Sequence, residues 1–309
     1  MPTELVAPDA ATSPAAFENP LIPNAKLRQI YRAVLHARVL GESLPASQRR
    51  ITHGLEAALV STSIELAAND LISDALTSPV LDHLRATSFA PLTLADSTIP
   101  LRPKARAALT AWATPSTLPL EPSIAGRIQL ALGAASALKA AHAKSRSYTT
   151  AKGGTPRQTG VVVFYAQTGE VPASLWSKAV AFAAHHQLPI LFVVLPPPRI
   201  TGNKPQTRPA RLSPVIAIAL RSQVPGMIVD ANDPIALYRV AQESLARARD
   251  GGGAALIECV PFLVQGARTA PEDALPAMER YLLLRGVATR AWITREARAF
   301  AQRLAAKKR

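Results

Sequence analysis

The sequence contains few of the residues that build covalent or metal-centred frameworks. Its 309 residues include one cysteine, Cys259, which excludes an intrachain disulfide and a cysteine-based zinc site. A single thiol is compatible with a reducing compartment. The six histidines show no paired metal-ligand spacing, and the chain has neither a Gly-x-Gly-x-x-Gly fingerprint nor a Walker loop. No common nucleotide-binding or metal-binding motif therefore marks a function.

Long hydrophobic runs are also missing. The longest one, 188–195, is far shorter than the roughly 20 residues that a membrane-spanning helix needs. The first 25 residues contain no Lys or Arg, and they contain the acids Glu4, Asp9 and Glu18. A secretory signal begins with basic residues, and a mitochondrial presequence is rich in Arg and poor in acids. We therefore expect a cytoplasmic protein that does not contact membranes.

Acidic residues are scarce relative to basic ones. Lys and Arg number 35 against 21 Asp and Glu, which gives a net charge of +14. Residues 280–309 alone carry nine basic residues and one acid, Glu296. Such a charge favours polyanions, but aromatic residues make up only 5 % of the chain and no nucleic-acid motif is recognised. We expect weak, non-specific binding of nucleic acid at most.

Hydrophobic residues make up 48 % of the chain, which is enough to build a sizeable core. Four β-type apolar runs alternate with helical patterns in the second half of the sequence. The predicted strands are 160–166, 189–195, 227–229 and 255–260. Strand–helix alternation favours βαβ units, so we predict an α/β fold with a mainly parallel sheet flanked by helices. This single domain covers 25–309 and ends in a basic helical segment, 280–309, and a Pro- and Ala-rich arm, 1–24, precedes it.

Helical spacing and capping residues place the remaining elements. Asn24 is expected to cap a first helix, and Asp233 with Pro234 is expected to start a later one that runs to about residue 250. The other predicted helices are 53–68, 124–143 and 172–186. Two polar, basic segments, 144–159 and 199–211, are predicted to be loops. Residues 72–121 hold several prolines, and we assign no elements there.

The order of several strings resembles the alpha subunit of the first, decarboxylating component of 2-oxo acid dehydrogenase complexes, of the pyruvate and branched-chain types. These strings are LRQIYRAVLHARVLGE (27–42), HGLEAA (53–58), IAGRIQLALGAASALKAA (124–141), VVVFYAQTGE (161–170), FAAHHQLPILFVV (182–194), PGMIVDANDPIALYRVAQESLARARDGGGAALIE (225–258) and MERYLLLRG (278–286). The resemblance implies a thiamine-diphosphate-enzyme fold and oxidoreductase chemistry on the oxo group of 2-oxo acids. It also implies thiamine diphosphate and magnesium as cofactors, and a homo-oligomer or a heterotetramer with a beta-like chain.

The resemblance breaks down at the metal site. Members of the family carry Gly-Asp-Gly after one strand and Asn-Asn about 26 residues later. These positions fall on Gln167, Thr168 and Gly169, and on Pro196 and Pro197. Magnesium with a diphosphate needs hard oxygen ligands, at least one of them anionic. The sequence replaces the carboxylate by a hydroxyl and the two amides by prolines, and the nearest acid, Glu170, lies two positions out of register.

Two further family features are missing. A Tyr-Arg pair that helps to hold the diphosphate would fall near Leu76 and Thr77, and a Gly-x-His stretch becomes Gly266-Ala267-Arg268. We therefore predict no catalytic and no metal-binding residue, and a subunit with a structural or regulatory role. Two alternatives stay open: an active thiamine-diphosphate-dependent subunit with substituted ligands, and a basic polyanion-binding protein.

Other candidates have a structural interpretation beside the functional one. Glu56 either bonds the start of its own helix or acts in chemistry, and His185 and His186 either face a site or are solvated at a helix end. Cys259 lies in a predicted buried strand, which favours an inert thiol over a nucleophile. The basic loop 199–211 is either a solvated surface or a site for phosphate or an acidic partner. The small residues of 124–141 favour close helix packing, either within the chain or between subunits.

Overall fold

The computed structural model describes residues 22–43, 54–67, 69–73, 117–119, 121–151, 159–197, 213–261 and 273–307. The helices in these ranges are α1 (Asn24–Ser43), α2 (Glu56–Ser63), α3 (Ile124–Ala151), α4 (Ala173–His185), α5 (Pro214–Arg221), α6 (Pro234–Arg249), α7 (Ala274–Leu284) and α8 (Arg290–Lys307). The strands are β1 (Leu71–Ser73), β2 (Val162–Gln167), β3 (Ile190–Leu195), β4 (Gly226–Asp230) and β5 (Ala255–Val260).

The five strands form one sheet in the order β1-β2-β3-β5-β4, and each neighbouring pair is parallel. In the register of the sheet, Phe164 of β2 lies beside Phe192 of β3, which in turn lies beside Leu256 of β5. The three central strands are almost wholly buried, as expected for a parallel sheet covered by helices on both faces. The predicted α/β class with a parallel, helix-flanked sheet is confirmed.

Alternate side chains of the strands serve two separate cores. One face of the sheet packs against α1, α2, α6 and α7 through residues such as Val163, Val193 and Ile257. The opposite face packs against α3, α4 and α5, where Phe164, Trp176 and Phe192 meet edge to face at centroid distances of 5.6–6.1 Å. Because the strands are parallel, their carboxyl ends lie together at one edge of the sheet.

Several sequence predictions hold at the level of single residues. The Asp233 carboxylate accepts hydrogen bonds from the backbone N–H groups of Ile235 and Ala236, each at 3.0 Å, and so caps α6. At the other end of α6, Gly251 adopts a φ of +83°, a left-handed conformation that glycine adopts at little cost. The strand predicted over 255–260 has the observed bounds of β5.

Other predictions need correction. The segment 144–159 was expected to be a loop, but α3 continues through residue 151, because residues 144–151 contain no helix-breaking proline or glycine. The sequence analysis also missed α5 and the three-residue β1. Most of 72–121, the loop 199–211 and the stretches at 76–77 and 266–268 lie outside the described residues, as does the arm up to residue 21. In the described ranges, no helix combines the length and the apolar character needed to cross a membrane.

The C-terminal helices α7 and α8 pack against α1. The Tyr31 hydroxyl donates to the Glu279 carboxylate at 2.9 Å, and the Arg28 guanidinium donates to the backbone carbonyl of Val287 at 3.2 Å. Arg32 forms a two-pronged ion pair with Glu296 at 2.9 and 3.0 Å, and this arginine lowers the pKa of the Glu296 carboxyl. The start of α1 therefore lies beside the α7–α8 connection.

Candidate functional site

The carboxyl edge of the sheet brings together the positions that the sequence analysis singled out. Thr168 follows β2 directly, and Pro196 and Pro197 follow β3. The ends of these strands are in register, with Gln167 beside Leu195. In open α/β sheets, ligands bind outside the carboxyl ends of the strands. The positions from Gln167 to Gly169 and at Pro196 and Pro197 therefore lie together at this edge of the sheet.

The turn after β2 is closed by its own hydrogen bonds. The backbone N–H of Gln167 donates to Glu170 Oε2 at 2.8 Å, and the backbone N–H of Glu170 donates to the carbonyl of Gln167 at 3.0 Å. Gly169 adopts a φ of +83°, which suits a residue without Cβ. Both the N–H and the hydroxyl of Thr168 donate to the carbonyl of Leu195, at 2.8 and 3.1 Å. Thr168 therefore ties β2 to β3.

A buried arginine completes this turn from the side of α3. Arg127 Nη2 forms an ion pair with Glu170 Oε1, and the Arg127 side chain is only 4 % exposed. Its guanidinium carbon lies 6.0 Å from the centre of the Phe164 ring, within range of a cation–π interaction. Its other terminal nitrogen, Nη1, is buried without a hydrogen-bond partner in the described structure. The carboxylate nearest to the expected metal position is therefore already neutralised by a cation of the chain itself.

The residues at the end of β3 offer no polar side chain. Pro196 is buried and Pro197 is exposed, and neither has a backbone N–H or a side-chain oxygen. In the described ranges, no group of three or more His, Cys, Asp or Glu residues could hold a metal ion. At the turn after β2, both Glu170 oxygens are engaged, by Arg127 and by the Gln167 N–H. Among the described residues, those that follow β2 and β3 do not fit a magnesium ion with a diphosphate.

The other residues that the sequence analysis singled out lie at a helix start, at the surface or in the core. Glu56 accepts hydrogen bonds from the Gly54 N–H at 2.9 Å and from Arg38 Nε at 2.7 Å, so it organises the start of α2. His185 and His186 are exposed at the end of α4, with their rings 4.8 Å apart. Cys259 is fully buried, and burial raises the pKa of its thiol, which favours the unreactive protonated form.

Glu258 is a buried carboxyl near the same edge of the sheet that the sequence analysis did not single out. It lies on β5 beside Val194 and Ile228, on the face covered by α5, and is 6 % exposed. Ser213, which caps α5, hydrogen-bonds to it, but Oε2 is buried without a partner in the described structure. Burial outweighs the Ser213 bond and raises the pKa of the Glu258 carboxyl.

Replacing Glu258 by Gln is expected to stabilise the protein increasingly as pH rises. The pKa of the Glu258 carboxyl is higher in the folded protein than in the unfolded chain. Its contribution to stability is therefore fully present below the unfolded-state pKa, and it is lost as pH rises through the folded-state pKa. The neutral amide escapes that loss, which amounts to about 1.4 kcal/mol for each unit of pKa displacement. Urea unfolding of both proteins from pH 4 to pH 8 measures the difference, and the exposed Glu243→Gln change is the control. Parallel pH profiles for the wild type and Glu258→Gln would contradict the prediction.

The sequence did contain a signal for Arg127. In α3 the buried residues Arg127, Ala131 and Ala135 recur every four positions, so they share the stripe that faces the sheet. A lone arginine on a stripe of small residues needs a buried partner. Glu170 was the only acid of the adjacent turn, so the pair was within reach of sequence analysis. Glu258, which lies in an apolar strand, carried no comparable signal.

Comparisons with known proteins relate part of the chain to one enzyme family. Residues 123–273 match the family model "Dehydrogenase E1 component". The subunit alpha of acetoin:2,6-dichlorophenolindophenol oxidoreductase from Bacillus subtilis is 49 % identical over 39 residues, which are 13 % of this chain and 12 % of that protein. The subunit alpha of 2-oxoisovalerate dehydrogenase from the same organism is 31 % identical over 98 residues, which are 30 % and 28 % of the two chains.

Among solved structures, a transketolase from Pichia stipitis is similar at a TM-score of 0.48 and 15 % identity, over 92 % of this chain and 44 % of that one. The aligned segments span less than a third of either curated relative. The family match covers α3 to the start of α7, which includes β2, β3 and the carboxyl edge between them. Residues 123–273 are thus similar to the dehydrogenase E1 components, as the motifs predicted.

Proposed function

We propose that this chain is an alpha-like E1 subunit that retains the fold of its relatives and has lost their magnesium–diphosphate site. Its role is then structural or regulatory within an assembly. The proposal rests on one observation: the polar groups of the turn after β2 are already paired with groups of the same chain. Glu170 is engaged by Arg127 and by the Gln167 N–H, and Thr168 is bonded to Leu195.

The relatives indicate which cofactor this turn would be expected to hold. Both curated relatives are alpha subunits of oxidoreductases, so thiamine diphosphate is the cofactor expected of this chain. In a site that fits it, that cofactor would supply a nucleophilic carbon for chemistry on 2-oxo acids. In the described structure, Thr168 bonds the turn to β3, Arg127 pairs with the Glu170 carboxylate, and the turn itself holds no second carboxylate. We propose no catalytic step for this chain by itself.

Calorimetric titration with thiamine diphosphate and Mg²⁺ tests the proposal. We expect no saturable heat for the isolated chain, and none beyond that of the partner when a candidate beta chain is present. A Mg²⁺-dependent heat with micromolar affinity for the isolated chain would overturn the proposed loss of the site.

The alternative of an active subunit with substituted ligands depends on Glu170. Its carboxylate lies in the correct turn, but it would have to leave Arg127 to bind a metal. The same titration on Glu170→Gln separates the two proposals. If the wild type binds thiamine diphosphate and Glu170→Gln does not, Glu170 is a substituted ligand and the chain is a candidate enzyme.

For the assembly, we propose a heterotetramer with a beta-like chain, or a homo-oligomer, that uses the exposed small-residue face of α3. Gly133 lies on this face, and a Cβ built on it would meet no atom within 4 Å in the described structure. Within the described part of the chain, no neighbour therefore accounts for that glycine. The proposed compartment is the cytoplasm.

Replacing Gly133 by Leu is expected to prevent this assembly and to leave a folded monomer. The side chain has room in the monomer, where leaving glycine in a helix interior costs about 1 kcal/mol relative to a good helix former. The monomer should therefore be as stable as the wild type or slightly more stable. Light scattering of the chain with its genomic neighbours measures the assembly, and Ala246→Leu on the exposed face of α6 is the control. A wild type that stays monomeric in this mixture would contradict the idea.

The basic surface supports a second, weaker proposal of polyanion binding. On α8, Arg290, Arg295 and Arg298 are all exposed, and their spacings of five and three residues place them over about 140° of the helix circumference rather than along one narrow stripe. We therefore expect retention on a random DNA duplex at about 50 mM salt that is lost near 150 mM, because counterion release dominates such binding. Filter binding at the two salt concentrations measures it. Binding that survives the higher concentration, or that depends on DNA sequence, would raise polyanion binding above the structural role.

A further inference from the structure

We propose that the outer edge of β4 is a self-association surface, on which the β4 strand of a second copy of this chain pairs in the antiparallel direction. The two copies then share one continuous sheet across a two-fold axis. This surface lies at the side of the sheet, away from the carboxyl edge of β2 and β3 and from the exposed face of α3. The inference therefore depends neither on the loss of the metal site nor on assembly through Gly133.

The two outermost strands of the sheet, β1 and β4, differ in what lies beside them. On the outer side of β1, Ile72 forms a parallel bridge with Thr117, and the Leu118 N–H donates to the Ile72 carbonyl at 2.8 Å. On the outer side of β4, no segment of the described part of the chain pairs with the strand. β4 is therefore the open edge of the described sheet.

The backbone of β4 presents unpaired polar groups to this open edge. The Leu256 N–H of β5 donates to the Pro225 carbonyl at 2.8 Å. Because successive residues of a strand direct their backbone groups to opposite sides, the odd-numbered positions of 225–231 face β5. Gly226 and Ile228 face outward, and their backbone groups have no partner among the described residues. A row of such groups is a template for pairing with another strand.

The sequence of this edge lacks the features that usually block strand pairing. Residues 222–229 (SQVPGMIV) hold no charged side chain, although natural edge strands often carry Lys for this purpose. The one proline there, Pro225, directs its backbone toward β5 and so leaves the outer hydrogen-bonding groups intact. β4 has five residues, a common length for strands in globular proteins. The edge is therefore able to accept a further strand.

Apolar side chains flank the open backbone groups. Met227 and Ile228 are only half-buried, and they lie on opposite faces of the sheet. On one face, α5 packs so closely that a Cβ built on Gly226 would lie 3.1 Å from Ala219 Cβ. The next residue of α5, Leu220, is a large hydrophobic side chain that is 53 % exposed. Exposed apolar surface beside unpaired backbone groups is typical of an interaction site.

The charges beyond the two ends of β4 favour a second copy in the antiparallel direction. Arg221, at the end of α5, is an exposed cation before the amino end of the strand. Asp233, which caps α6, is an exposed anion after its carboxyl end. Antiparallel pairing centred on Ile228 brings Arg221 of each copy to the region of the partner's Asp233, whereas parallel pairing brings like charges together. The charge pattern of the edge is therefore complementary to itself.

The two-fold arrangement also satisfies the open backbone groups. In an antiparallel pair centred on Ile228, the Ile228 N–H of each copy donates to the Ile228 carbonyl of the other. Both copies use the same surface, so the contact is complete once two copies have paired. The open edge therefore specifies a closed dimer rather than a growing fibre.

Amide hydrogen exchange of the full chain, followed by NMR, tests the pairing at single residues. Met227 and Val229 direct their N–H groups to β5, so their exchange should be slow at every protein concentration. The Ile228 N–H is open in one copy and bonded in the pair, so its exchange should slow by about 10-fold or more as the chain associates. The measurement is made at about 150 mM salt, which screens the charge of +14 between copies. An Ile228 exchange rate that is independent of concentration would overturn the proposal, even if the chain dimerises through another face.

Leu220→Lys and Phe182→Lys form a matched pair of variants. Both replace an exposed hydrophobic side chain, 53 % and 45 % exposed, by a cation, but Phe182 lies on α4, which connects the inner strands β2 and β3. Leu220→Lys should raise the dissociation constant of the dimer about 10-fold or more, and Phe182→Lys should leave it unchanged. Sedimentation equilibrium measures both. Equal effects of the two variants, or a wild type whose Ile228 N–H is protected only after a beta chain is added, would overturn self-pairing.

A double-mutant cycle tests the antiparallel direction. Within one copy, Arg221 and Asp233 lie beyond opposite ends of a strand about 16 Å long, so their charges can meet only across the two copies. Arg221→Gln and Asp233→Asn each remove one charge, and asparagine still caps α6. The loss of dimer affinity in the double variant should be smaller than the sum of the two single losses in free energy. Additive losses would overturn the antiparallel pairing.

Discussion

Replacing Glu170 by Gln is expected to lower the free energy of unfolding by about 2–3 kcal/mol. The change leaves the Arg127 guanidinium, 4 % exposed, without its carboxylate, and such uncompensated buried charges cost about 3–5 kcal/mol. We place the effect below that range because the Glu170 side chain is 32 % exposed and water screens part of the loss. Chemical denaturation followed by tryptophan fluorescence measures it, because Trp176 lies in the same core.

The double variant Arg127→Met with Glu170→Gln makes this test specific. Removing both charges should recover much of the stability lost by either single change, because the buried side chain is then apolar. The exposed Glu243→Gln change should alter stability by no more than about 0.5 kcal/mol. If Glu170→Gln behaves like that control, the ion pair does not hold the turn.

Restoring the family ligands is expected to create affinity for thiamine diphosphate with Mg²⁺. The variant combines Thr168→Asp with Pro196→Asn and Pro197→Asn. One charge-assisted ligand is worth about 1.5–3 kcal/mol, which corresponds to roughly a 10- to 100-fold gain in affinity. Calorimetry measures the gain, and we expect the repair to remain partial because Arg127 still holds Glu170 in the adjacent turn.

The repaired variant should also depend on metal for its stability. Thr168 donates its hydroxyl to the Leu195 carbonyl, whereas an aspartate there would place a second acceptor against that oxygen. Without metal we therefore expect a lower melting temperature than in the wild type, and Mg²⁺ with the cofactor should reverse the loss. The matched control carries Thr168→Asn, which has the shape of the aspartate but no charge. An identical response of the two variants would show that the carboxylate is not a ligand.

The sequence predicted those parts of the fold that local chemistry determines. Buried parallel strands consist of continuous apolar runs, so β2, β3 and β5 were predicted within one or two residues of their bounds. Asp233 with Pro234 defined the start of α6 in the same way. The resemblance put Thr168 and Pro196 directly after two predicted strands, and parallel strands in a βαβ unit bring such positions to the same edge of the sheet.

The remainder depended on contacts between distant parts of the chain. β1 has three residues, and it is a strand because Leu71 pairs with Val162, far along the sequence. The continuation of α3 past residue 143 was missed because polar residues at 144–151 suit a loop as well as a helix end. Glu258 was missed because its burial comes from α5, which the sequence analysis did not recognise. The residue pattern within one segment does not indicate which distant segment packs against it.

The position of β1 at the edge of the sheet has a consequence for how the chain folds. The pairs β2–β3 and β4–β5 each join strands separated by a single helix, whereas β1 must close a loop that contains all of α3 before it meets β2. Long loops are costly to close early, so the central βαβ units should form the nucleus and β1 should dock last. Substitutions in β1 would then change the rate of unfolding, while substitutions in β2 and β3 would change the rate of folding.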